Sequence, residues 1–81
     1  MEVTFYTEDD TIWVEFNEEN YHKEESHKDG VLLHYDGEDN LIRAIFANAS
    51  QGLSLKHLPK KEKKQIAHFM TTHNVSILND K

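Results

Sequence analysis

Six histidines and fifteen carboxylates, in a chain of 81 residues without cysteine, are the groups from which any chemistry must be built. His22 and His27 stand in an acidic stretch beside Glu24, Glu25 and Asp29, donors of the kind a zinc ion accepts. A defined metal centre needs ligands that packing and outer hydrogen bonds hold still, and this stretch has no apolar residues to supply such support. Solvated loop histidines, with no metal and no cofactor, are the expectation. His68 and His73 are five residues apart, about 140° around a helix, and so miss the i, i+4 pairing of a helical metal site. The sequence carries no nucleophile motif, glycine-rich phosphate loop or metalloprotease signature. The paired acids Asp9-Asp10 and Glu38-Asp39 fall in polar breaks between apolar runs, where turn geometry accounts for them. The chemistry-bearing residues therefore predict a protein that is not an enzyme.

Charge is distributed unevenly. Residues 1–40 hold thirteen acids against two lysines, whereas residues 41–81 hold one arginine and six lysines against two acids, within a net charge of −6. Such polarity leads either to two halves folded against each other or to two surfaces of opposite sign. Lys60, Lys61, Lys63 and Lys64 crowd the start of a predicted helix, where the macrodipole favours anions. A phosphate-backbone contact is one reading of that cluster. With a single arginine, an acidic total and aromatics required by the core, nucleic acid is not the expected partner. No apolar run approaches a membrane span, and the start MEVTFYTEDD does not resemble a signal peptide, so cytoplasmic residence is expected.

The elements that must position these residues follow from apolar periodicity. Residues 30–50 read as a β-hairpin in which Val31, Leu33 and Tyr35 share a face with Ile42, Ala44 and Phe46. Opposed residues of an antiparallel pair lie on one face, which sets Tyr35 against Ile42, Leu33 against Ala44 and Val31 against Phe46. Gly37 to Asn40 is left as a four-residue loop, with Asn40 suited to a left-handed conformation. The same argument over residues 1–17 pairs Val3 with Val14 and Phe5 with Ile12 around a loop from Thr7 to Asp10. Residues 18–29, with only Tyr21 to bury, read as an exposed connection. Gln51 to Leu58 brings three leucines back to the core. Pro59 suits the first position of a helix over 59–74, in which Ile66, Phe69, Met70 and His73 form one stripe and Asn74 ends the helix. Residues 75–81 form a tail whose Val75 to Leu78 fits either an edge strand or a packed end.

One α+β domain is thus expected: a four-stranded antiparallel meander backed by one C-terminal helix, with Phe69 and Met70 buried against it. Trp13, Leu32 and Ile45 would face away from the helix and offer a dimer surface.

Two pieces of the chain resemble the domain-of-unknown-function family 2283 of small bacterial and archaeal proteins. The first is Asp9-Asp10-Thr11-Ile12-Trp13-Val14; the second comprises Gly30-Val31-Leu32-Leu33-His34-Tyr35-Asp36 and Asn48-Ala49-Ser50. The likeness spans roughly residues 1–55, and departs from the family at Arg43-Ala44-Ile45, where a Gly-Ile-Glu-like triplet is usual. It implies a compact β-rich domain without an established activity, and some members resemble the smaller partner of toxin–antitoxin gene pairs. The expected function is a non-enzymatic protein-binding module that neutralises a basic, toxin-like partner through Glu8, Asp9, Asp10, Glu38 and Asp39. The alternatives are a structural or regulatory module acting through homo-oligomerisation and a histidine-dependent metal or pH sensor.

Overall fold

A computed structural model describes residues 1–18 and 20–75. The undecided tail beyond Val75 and the acid Glu19 lie outside the described residues. The fold is α+β: an antiparallel sheet and one helix. The sheet has five strands, not four: β1 (Glu2–Tyr6), β2 (Thr11–Glu15), β3 (Lys23–Ser26), β4 (Val31–Tyr35) and β5 (Leu41–Phe46). Their spatial order is β1-β2-β5-β4-β3, which also replaces the expected meander. Side-chain parity determines which faces match, but it does not determine which strands are neighbours. Here β2 docks on β5, with Ile12 opposite Phe46 and Val14 opposite Ala44, so the apolar rows of the two hairpins become continuous.

The extra strand, β3, arises inside the stretch expected to be a loop. Its sequence, KEES, has no apolar residue and all four side chains are exposed. It pairs with β4 by register, Lys23 opposite Tyr35 and Glu24 opposite His34. Lys23 lies 5.4 Å from the centre of the Tyr35 ring and bridges to Asp39 at 2.9 Å; the hydrogen bond to Asp39 raises the pKa of the lysine. A turn closed by the amide of His27 donating to Val31 O at 2.9 Å leads into β4. Gly30 ends this turn at φ +83°, a backbone angle that favours glycine, and a Cβ there would also press on that of Ala47 at 3.3 Å.

In the first hairpin both the register and the Thr7–Asp10 loop are as the parity argument gives them. The second departs at its closed end. Leu33 still faces Ala44 and Val31 faces Phe46, but Tyr35 faces Leu41 and Ile42 is passed over as a β-bulge. Leu41, not Ile42, consequently joins the core cluster under the helix. The turn is held by Asp36: its Oδ1 accepts from the amides of Glu38 (2.8 Å) and Asn40 (2.9 Å), and its Oδ2 accepts from the Asn40 side chain. This pattern places the left-handed residue at Asp39 (φ 63°), not at Asn40.

Helix α1 (Lys60–Thr72) follows Pro59, which sits at the N-cap with extended backbone. At the other end Asn74 is left-handed (φ 58°), Val75 N–H donates to Met70 O, and Asn74 N–H donates to Thr71 O. These bonds form a Schellman motif whose apolar closure is Val75 against the core. Ile66 and Met70 are fully buried with Leu53, Leu55 and Leu58, beneath Ile12, Val14, Leu33, Ala44 and Phe46. Phe69, expected to be buried beside Met70, is half-buried and stacks on His73 at 4.0 Å. Among the described residues no helix is long and apolar enough to cross a membrane.

Candidate interaction surface on the open face of the sheet

The face turned away from α1 is built in rows that run across the strands. Trp13 of β2 stands opposite Ile45 of β5, and Ile45 opposite Leu32 of β4. The three residues that parity assigned to the far face therefore form one apolar strip over the central strands. Ile45 is buried by its neighbours, whereas Trp13 and Leu32 are half-buried. Tyr6 meets the Trp13 ring edge-on at 5.7 Å and extends the strip toward β1.

The next row is charged. Register alone aligns Glu2, Glu15, Arg43, His34 and Glu24 across all five strands. Arg43 Nε donates to Glu15 Oε1, and Arg43 Nη1 approaches His34 Nδ1 at 2.7 Å. An arginine can only donate, so Nδ1 of His34 accepts and its proton resides on Nε2, which donates to Glu24 Oε1 at 2.9 Å. Arg43 Cζ also lies 5.8 Å from the centre of the Trp13 ring, and Tyr21 packs edge-on against the imidazole of His34 at 4.9 Å. One cation is thus fixed between two carboxylates in a row that spans four strands, β2, β5, β4 and β3. Both nitrogens of His34 are engaged, so the arrangement suits recognition by a fixed charge pattern more than proton transfer. Of these four residues the sequence drew attention only to Glu24, and then as a metal donor beside His22 and His27. Glu15 shares parity with Trp13, His34 with Leu32 and Arg43 with Ile45, but the row exists only once β2 is placed beside β5.

The acidic turns are divided by the same strand order. Thr7–Asp10 lies at the end of the sheet where β5 finishes, and Asp36–Asn40 at the end where β5 begins. Glu8, Asp9 and Asp10 are therefore not brought together with Glu38 and Asp39. Asp10 is occupied internally: its Oδ1 accepts from the Ser50 amide (2.8 Å), its Oδ2 from the Ser50 hydroxyl (2.7 Å), and its carbonyl from Ala49 N–H (2.8 Å). Asp39 is bridged to Lys23. Glu8, Asp9 and Glu38 are exposed.

His22 and His27, the histidines weighed as metal ligands, are engaged in different places. His22 donates its amide to Tyr35 O. His27 stacks on His57 at 3.6 Å, with Nε2 of His27 against Glu25 (2.8 Å) and Nε2 of His57 against Asp29 (2.9 Å). Burial raises the Asp29 pKa, but hydrogen bonds from His57 and Ser54 outweigh it and the net shift is downward. Parallel rings aimed at different carboxylates do not converge on one point, and among the described residues no cluster of three or more ligating side chains has metal-binding geometry.

Two of the pieces that carry the resemblance to family 2283 meet in the structure, Asp10 with Ala49 and Ser50, where they tie the first hairpin to the short 3-10 turn Ala49–Gln51. Comparison of the chain with known protein families, characterised proteins and solved structures found no significant match.

Proposed function

We propose that this chain is a non-enzymatic protein-binding module that contacts a basic partner through the open face of its sheet. The observation that carries this reading is the apolar strip Trp13–Ile45–Leu32 lying beside the ordered row Glu15–Arg43–His34–Glu24. An apolar centre with aromatic and arginine side chains beside a polar margin is the anatomy of a protein interface. The acidic turns favour a basic partner in a modified way. They stand at opposite ends of the sheet, separated by a strand's length of roughly 17–20 Å, so they would act as two guides flanking the strip. The resemblance to family 2283 adds an antitoxin-like role, with a basic RNA-cleaving protein as the class of partner.

Site-specific photo-crosslinking tests the reading. A benzophenone side chain at Trp13 should capture a basic protein in a salt-sensitive, stoichiometric adduct, whereas the same group at exposed Lys61 on the helix should not. Replacing Glu8, Asp9, Glu38 and Asp39 by lysine should slow capture chiefly through the association rate. Equal capture from both positions, or capture that survives charge reversal at physiological salt, would sink the proposed mechanism.

A further inference from the structure

Among the described residues the outer strands of the sheet are β1 and β3, and they differ in a way that selects a partner. At the β3 edge, Lys23, Glu24, Glu25 and Ser26 are all exposed. Laying β3 antiparallel on a second β3 opposes Glu24 to Glu25 or Glu25 to Glu25 in two of the three centred registers; the third opposes Glu24 to Glu24 and sets Glu25 against Lys23, whose ammonium is already bridged to Asp39, and like charges directly opposed are unfavourable. This edge is protected by charge against self-pairing. At the β1 edge the residues are Glu2, Val3, Thr4, Phe5 and Tyr6, with Phe5 45% and Tyr6 46% exposed and the preceding Met1 52% exposed.

Among the described residues the underside of β1 is also open. An apolar groove of about 200 Å³ lined by Phe5, Ile12, Ala49 and Val75 runs beneath its far end. A second, of about 550 Å³, lies beneath its start among Met1, His68, Phe69 and His73.

We propose that β1 is the edge on which a second copy of this chain adds its own β1, antiparallel and centred on Thr4. In that register Val3 faces the partner's Phe5 on the helix side. Glu2 faces the partner's Tyr6 on the open side, where the phenol donates to the carboxylate. Thr4 meets its own counterpart on the two-fold axis. Centring on Phe5 would instead oppose Glu2 to Glu8, and centring on Val3 would leave Tyr6 unpaired. The Thr4-centred pairing continues the sheet to ten strands with both helices on one side, so Val3 and Phe5 of each copy cover the other's apolar underside. Both open faces then lie side by side and remain free, which makes the pairing independent of the interface proposed above.

The absence of cysteine allows a direct test in the full chain. Directly opposed residues bring Cα atoms to ~4.5–5.5 Å, within disulfide range. Thr4→Cys should therefore oxidise to a covalent dimer in dilute solution, whereas Glu24→Cys on the opposite edge should form no disulfide. By light scattering the unmodified chain should show a concentration-dependent dimer. Thr4→Lys and Thr4→Glu should each raise its dissociation constant by ~2- to 5-fold, and their mixture should restore it. A monomer at every concentration, preferential cross-linking at Glu24→Cys, or dimers indifferent to the charge at Thr4 would overturn the proposal. The last result would move the contact to another surface. If Thr4→Cys remains a free thiol, the proposal fails.

Discussion

The two faces of the sheet use the same strands for opposite ends. Toward α1, alternate residues bury completely: Val14, Leu33 and Ala44 have no exposed surface. Toward solvent, the intervening residues of those strands form Trp13–Ile45–Leu32 and the row Glu15–Arg43–His34–Glu24. The first face is held by shape and water exclusion, the second by directed bonds between partners that stay partly wet. One face therefore fixes the fold, and the other is free to carry specificity.

Truncation on the covered face should have the largest effect. Leu33→Ala or Met70→Ala should cost ~2–5 kcal/mol in urea unfolding, a large share of the stability of a domain this small. Trp13→Ala, at a half-exposed position, should cost clearly less; equal losses would make the open face a second core. Phe69→Ala belongs with the smaller group, because its ring is half-buried on His73 and not enclosed as Met70 is.

On the open face, Arg43→Met should cost roughly 1–3 kcal/mol by leaving His34 Nδ1 and Glu15 without their donor. A double-mutant cycle with His34→Phe should show coupling, whereas additive losses would mean that the row is only a set of neighbours.

A smaller, pH-dependent effect is expected where the faces meet at the closed end of the second hairpin. The pKa of Asp36 is lowered from 3.8, first by the Asn40 amide; desolvation opposes this, and the Glu38 amide and the Asn40 side chain add to the lowering. A carboxylate with a depressed folded pKa contributes its full stability above its unfolded value and loses it as pH falls through the folded value. The Tm difference between the native chain and Asp36→Ala should hold steady above about pH 4 and shrink below it; a difference that grows on acidification would reverse the assignment. The smallest change should follow Glu38→Lys, within ~0.5 kcal/mol in stability. Any large effect it has must appear in partner association.

The covered face was the more legible from sequence, for a physical reason. Burial imposes a period, so Val3–Val14, Phe5–Ile12, Leu33–Ala44 and Val31–Phe46 could be paired from parity, and Asn74 could be read as the end of the helix. Strand β3 left no such signal, because KEES is held by backbone pairing and by contacts to Tyr35, His34 and Asp39 that only the tertiary arrangement supplies. The bulge at Ile42 was hidden because an apolar residue fits either register. The charged row depended on the β2–β5 neighbourhood, which no local pattern encodes. The internal roles of Asp10 and Asp36, which both bind backbone amides, were likewise hidden, because composition does not distinguish an acid that closes a turn from one that faces solvent.

The strand order also sets how the chain assembles. Strands β1 and β2 form one hairpin, β3 to β5 form a second unit of consecutive strands, and the two are joined in the sheet by the seam of β2 against β5. Each unit closes over short loops, whereas the seam joins segments about thirty residues apart and bears most of the loop-closure entropy. Docking of two locally formed pieces is then the slow event in folding. Among the described residues the connection between β2 and β3 makes backbone bonds only at its ends, from Phe16 and Asn17 to Ile42 and from His22 to Tyr35. A chain cut there should still fold by recombination, at a rate that depends on the concentration of its two fragments.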